Sequence, residues 1–261
     1  MADVEALGRA PVPAPGTPDA LPVTSGGASV MSLVDHLAEL RRRVLISVAA
    51  FGVASVIGWF LEPRLLEVLI APLRELTGEG LRFIGLGDAF AIRLRISLLF
   101  GLVTAMPVIL LQGWLFVSPG LTSRERSVAR PWLPLSYLFM LLGAAVAYVV
   151  LPFAVQFLLG FAQPGTLEPL ITASEYFGFV TSLILAFGLV MQFPILLTFL
   201  AEAGIVHSGR LRSSRRYVIL AIAVFAAVAT PGGDLVSPAI LGGVMYLLYE
   251  LTIQFIRRRG H

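Results

Sequence analysis

Residues 96–117 read ISLLFGLVTAMPVILLQGWLFV, a stretch of 22 residues without a charged side chain. A transmembrane helix needs about 20 consecutive, mostly apolar residues, because the hydrocarbon core of a bilayer is about 30 Å thick. A run of this length and apolarity is therefore typical of a helix that crosses a membrane. On either side of it, further charge-free runs occupy residues 44–60, 131–167, 176–201, 217–233 and 235–249.

The whole chain has the composition of a membrane protein. Of its 261 residues, 57% are hydrophobic and only 13% are charged, whereas about 25% of the residues of a soluble domain are charged. The chain contains no cysteine, which excludes disulfides, thiol catalysis and thiolate metal ligands. Its three histidines, at 36, 207 and 261, lie outside the apolar runs. We therefore expect no metal centre within the membrane and no cofactor.

The distribution of arginine predicts the topology. All 19 basic residues are arginine, and 14 of them lie in the N-terminal region, in alternate loops or in the C-terminal region. Because short basic loops remain in the cytoplasm, we expect an even number of spans and two cytoplasmic termini. Six spans fit the apolar runs, at about 42–62, 92–117, 131–153, 174–201, 215–230 and 235–256.

The expected fold is therefore all-α, a polytopic membrane protein with six transmembrane helices, of which the last two are short. The apolar part of the fifth span, residues 217–230, would reach only about 21 Å at 1.5 Å per residue. Two explanations remain open. The helix extends backward through residues 213–216, or the bilayer is thinner beside it.

The regions outside these spans differ in composition. Residues 1–30 are rich in proline, alanine and glycine, which predicts a disordered tail. Residues 31–256 are expected to form the membrane domain, and residues 257–261 a basic cytoplasmic C-terminus. Within the segment between the first two spans, residues 62–91, leucines at helical spacing predict an amphipathic helix on the membrane surface: Leu65, Leu66, Leu69 and Leu73.

The segment 36–43 reads HLAELRRR and precedes the first apolar run. Leucines on one face and charged residues elsewhere predict an interfacial helix that continues into the first span. One interpretation of Glu39 is simple: it pairs with Arg43 four residues later on the helix and has no other role.

The same segment resembles the N-terminal HLxELRxR signature of the TatC family, the multispanning subunits of the twin-arginine protein translocase. Further matches follow in order along the chain. They are APL at 71–73, PVILLQGWLF, PGL and ER within 107–126, FGLVMQFP at 187–194, and TP, D and LYE within 230–250. The resemblance covers roughly residues 31–256.

This resemblance implies a function in protein transport and not in catalysis. Such a protein would bind twin-arginine signal peptides of folded precursors at its cytoplasmic face and nucleate assembly of the translocation site, driven by the proton motive force. Its location would be the bacterial cytoplasmic membrane. Its partners would be the signal peptides, TatA- and TatB-type single-span subunits, the lipid bilayer and further copies of itself, without nucleic acid.

The resemblance also implies which residues hold the arginine pair. Glu39 and Glu125 match the acidic positions of the family, and carboxylates suit guanidinium groups because both can form two parallel hydrogen bonds. Arg41, Arg43 and Arg126 would keep these carboxylates ionised and oriented.

Other residues of the motifs have alternative interpretations. Gln192 stands where the family usually has glutamate, so it forms either a hydrogen bond between helices or a polar contact for a partner helix. Glu250 is expected to pair with Arg257 or with a neighbouring helix. Structural loop positions are expected at Pro72, Pro119 and Asp234; the loop before Asp234 is one residue longer than in the family.

Two other classes of function compete with a translocase subunit. A membrane enzyme, such as an intramembrane protease, is disfavoured because the sequence has no GxSxG or HExxH motif. It also lacks a glycine-rich phosphate loop ending in Lys-Ser or Lys-Thr. A small-solute secondary transporter is the other alternative, but the chain shows none of the internal repeats typical of that class.

Overall fold

The first helix, α1, extends from Leu33 to Thr77 in a computed structural model that describes residues 33–78, 80–120, 132–163, 170–202, 208–230 and 234–258. Its 45 residues reach about 68 Å at 1.5 Å per residue, more than twice the thickness of a hydrocarbon core. The expected first span and the expected amphipathic helix after it are therefore one continuous helix. The predicted tail at 1–30 lies outside the described residues.

The other described elements are also helical. They are α2 (Asp88–Val117), a 3-10 turn (Ser118–Gly120), α3 (Trp132–Leu159), α4 (Ala173–Val190), α5 (Phe193–Glu202), α6 (Ser208–Ser213), α7 (Arg215–Ala229) and α8 (Val236–Arg258). Within the described ranges, five helical segments are long and apolar enough to cross a membrane. The expected fifth span corresponds to α7, which is not among these five segments because it has only 15 residues. By its internal contacts the chain divides into two units, Met1–Ala38 and Glu39–His261. The packing described below belongs to the second unit.

The expected fourth span is interrupted at Met191 and Gln192, which form a turn between α4 and α5. Pro194 follows two residues later and has no N–H for the carbonyl of Val190, four residues before it. Val190 is the last residue of α4. The proline therefore accounts for the end of α4, and Gln192 lies in the turn that follows.

The core lies where α2, α3 and α4 pack together, and α3 and α4 have the most extensive contact. Two glycines allow these two helices to approach closely. A Cβ atom at Gly143 would lie 2.6 Å from the carbonyl oxygen of Phe187, and one at Gly188 would lie 2.7 Å from the Met140 sulfur. Close approach at small residues is a usual source of helix association in membranes, where apolar burial provides little driving force.

The leucine face that follows the first span packs against this core. Leu73 is buried, and Leu65, Leu66 and Leu69 are partly buried against the core cluster. The helix that the leucine spacing predicts is therefore present, and its apolar face contacts protein.

Pro63 lies inside α1 and leaves the carbonyl of Trp59 without its helical N–H. Arg93 of α2 donates to this carbonyl oxygen at 3.1 Å. The same guanidinium lies 4.5 Å above the Trp59 ring and 3.7 Å from the carboxylate of the buried Glu62. One arginine therefore satisfies the freed carbonyl and neutralises a buried acid.

Pro72 also lies inside α1, so the expectation that it occupies a loop is wrong. It leaves the carbonyl of Val68 free, and the Tyr148 hydroxyl of α3 donates to that oxygen at 3.0 Å. The next carbonyl, of Leu69, accepts a hydrogen bond of 2.7 Å from Tyr176 of α4. Neighbouring helices can keep a proline-containing helix continuous by satisfying its freed carbonyls, and this accounts for the uninterrupted α1.

This arrangement predicts an energetic coupling between Tyr148 and Pro72. Tyr148→Phe should destabilise the protein by about 0.5–1.5 kcal/mol, the net value of one hydrogen bond. In a Pro72→Ala background the same change should cost less, because the introduced alanine supplies the backbone N–H that the Val68 carbonyl lacks. Thermal unfolding of the four proteins of this double-mutant cycle measures the coupling. Equal costs of Tyr148→Phe in both backgrounds would contradict it.

Candidate functional site

A charged cluster joins the beginning of α1 to the end of α2. Glu39 Oε1 accepts a hydrogen bond of 3.1 Å from Arg43 Nη2, as the spacing of four residues on a helix predicts. Arg43 Nη1 donates to the side-chain oxygen of Gln112 in α2 at 3.2 Å. The guanidinium thus links the carboxylate to a residue 69 positions away.

Both charged side chains of this cluster are largely shielded from solvent. Their side-chain exposure is 16% for Glu39 and 21% for Arg43, and Gln112 is buried. Glu39 Oε2 and Arg43 Nε are buried without a hydrogen-bond partner among the described residues. A buried polar atom without a hydrogen-bond partner costs about 1–3 kcal/mol. A donor that reached the second carboxylate oxygen of Glu39 would remove this cost.

The remaining residues predicted for this site are placed differently. Arg41 is exposed and is not among the described ion-pair partners of Glu39. Pro119 is exposed and lies in the 3-10 turn that follows α2. Glu125 and Arg126 lie outside the described residues, so the predicted pairing of Glu39 with Glu125 stays a prediction.

Gln192 is bonded to α3 through both polar atoms of its side chain. Its Nε2 donates to the backbone carbonyl of Ser136 at 3.1 Å, and its Oε1 accepts a hydrogen bond from the Ser136 hydroxyl. These contacts correspond to the first of the two interpretations, a hydrogen bond between helices. A contact with a partner helix stays a prediction.

Glu250 pairs with a neighbouring helix, which is one of the two outcomes expected for it. Its Oε2 lies 2.6 Å from Arg215 Nη2, so the pair joins α8 to the first residue of α7. The side chains are 21% and 40% exposed, respectively. A partly exposed ion pair of this kind contributes modestly to stability.

Asp234 stands just before α8 and is buried. Its Oδ1 accepts a hydrogen bond of 2.5 Å from the backbone N–H of Ser237. Carboxylates at this place stabilise a helix because they satisfy its free N–H groups and oppose its dipole. The structural role predicted for Asp234 is therefore supported by a helix cap at the start of α8.

Sequence reasoning missed two partners of the predicted residues. Gln112 is a polar residue inside an apolar run, and Ser136 lies near the start of the third run. Polar groups at membrane depth usually have a partner, so their position was the available signal. Nothing in the sequence pairs Gln112 with Arg43 or Ser136 with Gln192, because each pair is distant along the chain.

The cluster at Glu39 has the properties of a binding site for a cation. It offers a shielded carboxylate that has one oxygen paired with Arg43 and the other without a hydrogen-bond donor among the described residues. Within the described ranges no group of three or more His, Asp or Glu residues could hold a metal ion.

Comparison with known proteins identifies the family. The family model described as Sec-independent protein translocase protein (TatC) matches residues 35–243. A Sec-independent protein translocase protein TatC from Desulforapulum autotrophicum is 39% identical, covering 84% of this chain and 82% of its own length. The Sec-independent protein translocase protein TatCy from Bacillus subtilis strain 168 is 37% identical, covering 85% of this chain and 87% of its own.

The fold has a close counterpart among solved structures. A crystal structure of the twin-arginine translocase receptor TatC in DDM superposes with a TM-score of 0.74 at 36% sequence identity. The match covers 84% of this chain and 98% of that chain. Together these matches confirm the all-helical, polytopic membrane fold, and they decide for a transport protein over an enzyme or a small-solute transporter. This multi-pass membrane protein therefore belongs to the TatC family, the receptor subunits of the Sec-independent, twin-arginine protein translocase.

Proposed function

We propose that this chain binds twin-arginine signal peptides of folded precursor proteins at its cytoplasmic face and nucleates assembly of the translocation site there. The observation that supports this most directly is the Glu39 carboxylate, which keeps one shielded oxygen without a hydrogen-bond donor among the described residues. An arginine of the peptide supplies such a donor, and a charge-assisted hydrogen bond contributes about 1.5–3 kcal/mol.

Arg43 prepares Glu39 for this contact. It neutralises the carboxylate in the unoccupied site, which avoids the cost of a shielded charge without a partner. It is also held by Gln112, so it can move off Glu39 and keep one hydrogen bond when the guanidinium of a peptide arrives. The cluster thus exchanges one guanidinium for another without exposing a bare charge.

The surrounding charge makes the acidic contact selective. Arg41 and Arg42 are exposed beside Glu39, and like charges in this region repel any cationic peptide that lacks a specific contact. A bidentate guanidinium pairs better with a carboxylate than a lysine ammonium does. In this proposal Glu125 binds the second guanidinium of the peptide, and Arg126 orients Glu125.

The wider mechanism follows the family resemblance. Single-span TatA- and TatB-type subunits and further copies of this chain join the occupied receptor, and the proton motive force drives transport. Both termini lie in the cytoplasm of a bacterium, because the arginine-rich segments remain on that side of the membrane.

Loss of the Glu39 charge should weaken binding of a twin-arginine peptide about tenfold to a hundredfold, the effect of one charge-assisted hydrogen bond. The measurement is the dissociation constant of a labelled signal peptide for purified wild type and Glu39→Gln at one salt concentration. A twin-lysine peptide should bind wild type less tightly and should lose less affinity on substitution.

Asp35→Asn is the matched control, because it removes the same charge from an exposed residue of the same helix. Its affinity should stay close to that of wild type. If Glu39→Gln binds the twin-arginine peptide as tightly as wild type, Glu39 does not contact the signal peptide.

Single cysteines test the topology, since the chain has none of its own. Gly80 and Gly209 are exposed, and a Cβ atom at either position meets no atom within 4 Å. An impermeant thiol reagent added to intact cells should label Gly80→Cys and should reach Gly209→Cys only after the membrane is opened. Labelling of both from outside would refute the cytoplasmic placement of the α6 region.

Gln192 tests the partner contact. Gln192→Leu should weaken cross-linking to a single-span partner, because it removes the amide that a partner helix would contact. Ser136→Ala is the control: it removes one hydrogen bond of Gln192 within the chain and leaves the amide in place. If both variants cross-link like wild type and remain inserted, Gln192 only joins α3 to the turn after α4.

A further inference from the structure

A cavity of about 500 Å³ opens where α6, α7 and the last turns of α8 meet. This arginine cavity is lined mainly by polar and charged side chains: Arg212, Arg215, Glu250, Gln254, Arg257 and Arg258. Its volume falls in the range of about 300–1,000 Å³ that small-ligand pockets occupy. It is separate from the Glu39 cluster in its residues.

The cavity carries a large excess of positive charge. Its lining has four arginines and one glutamate, and that glutamate is bound to Arg215 at 2.6 Å. Within the described ranges the other three guanidinium groups, of Arg212, Arg257 and Arg258, form no ion pair. Like charges gathered around one space repel, so an anion in the cavity would stabilise the arrangement.

Helix dipoles do not account for all four arginines. Basic residues in the last turn stabilise the negative end of a helix, which covers Arg257 and Arg258 of α8. Arg215 is instead the first residue of α7, where the dipole favours negative charge. The Ser214 side chain makes no capping hydrogen bond there, so the start of α7 adds to the attraction for an anion.

Packing beneath the cavity holds the helices that carry these arginines. The Tyr249 hydroxyl of α8 donates to the carbonyl of Leu211 in α6 at 2.6 Å. A second hydrophobic cluster surrounds this contact, formed by Leu197, Ala201, Leu211, Tyr249, Ile253 and Ile256. The helices that line the cavity are therefore packed against one another, and the side chains of Arg212, Arg257 and Arg258 are exposed above this packing.

Residues that are typical of the depth of lipid headgroups lie next to the cavity. Immediately after Arg215, the Arg216 guanidinium stacks on the Tyr217 ring at 4.8 Å and donates to its hydroxyl at 3.0 Å. Arginine and tyrosine are enriched at the boundary between hydrocarbon and water. Exposed apolar side chains follow directly along α7, at Ile219, Leu220, Val224 and Val228.

We propose that the arginine cavity binds the phosphate group of an anionic phospholipid, whose acyl chains lie along the exposed apolar surface of α7. Guanidinium groups suit phosphate because they present several donors in a fixed plane. Basic pockets between transmembrane helices are a recurrent way to hold anionic headgroups. The adjacent apolar surface favours a lipid over an acidic protein segment, which needs charge alone.

Native mass spectrometry of the full chain in a mild detergent measures the lipid directly. Wild type should bind phosphatidylglycerol more tightly than phosphatidylcholine. The double variant Arg212→Gln, Arg257→Gln should bind phosphatidylglycerol about thirtyfold more weakly, the effect of removing two arginines from an anionic lipid. Its matched control, Arg64→Gln, Arg74→Gln, removes the same charge from exposed residues of α1 and should bind like wild type.

Gln254→Glu provides a variant that removes no arginine contact from the fold. It adds a carboxylate to the lining of the cavity at an exposed residue, and it should also lower the affinity for phosphatidylglycerol. If Gln254→Glu and the double variant both bind this lipid as tightly as wild type, the proposal is wrong.

Two competitors distinguish the possible sources of negative charge. Inorganic phosphate or a hexaglutamate peptide at the concentration of the lipid should not displace phosphatidylglycerol from wild type. Displacement by phosphate would assign the cavity to a soluble anion, and displacement by the peptide would assign it to an acidic protein segment. Either result would overturn the assignment to a phospholipid.

Discussion

A backbone carbonyl that loses its helical N–H near a bilayer needs another donor, because no water is available in hydrocarbon to replace it. In α1 this constraint operates twice, at the carbonyls of Trp59 and Val68, and side chains of α2 and α3 supply the donors. Because both donors come from other helices, the prolines that free these carbonyls fix α1 to the rest of the protein. Glu39 lies earlier in α1, before the first of these prolines. The Arg43–Gln112 hydrogen bond then fixes the first half to α2.

In the charged clusters, too, one side chain supplies hydrogen-bond donors to several groups. Arg93 serves a carbonyl, a ring and a carboxylate at once, and Arg43 serves a carboxylate and an amide. A guanidinium has five N–H donors in one plane, which lets a single residue satisfy groups on two helices. The absence of lysine from the sequence agrees with this use, since an ammonium group acts as a point charge without a fixed plane of donors.

The sequence predicted the features that depend on local pattern. Apolar runs placed α2, α7 and α8 within four residues of their observed ends, and α3 extends six residues beyond its predicted end. Helical spacing also predicted the Glu39–Arg43 pair. It did not predict the features of local structure that depend on a residue distant along the chain. Pro72 was expected in a loop because residues 71–73 resemble a loop motif of the family, yet it lies inside α1. There the Tyr148 hydroxyl, far along the chain, donates to the carbonyl that the proline leaves free. Pro194 has the same chemistry, and there the helix does end. The same residue type thus lies within a continuous helix at one position and follows a helix end at the other. The difference depends on the hydrogen-bond donors nearby, and these cannot be identified from a single sequence.

Gln192 shows how this constraint changes the chemistry of a family position. A carboxylate in the middle of a transmembrane segment costs about 2.5–3.5 kcal/mol on insertion scales, and it can only accept hydrogen bonds when ionised. An amide carries no charge and both donates and accepts. Against Ser136 the Gln192 side chain does both, to one residue of the facing helix, which a carboxylate could match only by taking up a proton. The close approach of α3 and α4 at Gly143 and Gly188 brings the two partners within reach. In this chain the position is therefore filled by a neutral group whose polar atoms are both satisfied within the fold. The ionised side chains of Glu39, Glu62 and Glu250, by contrast, each pair with an arginine.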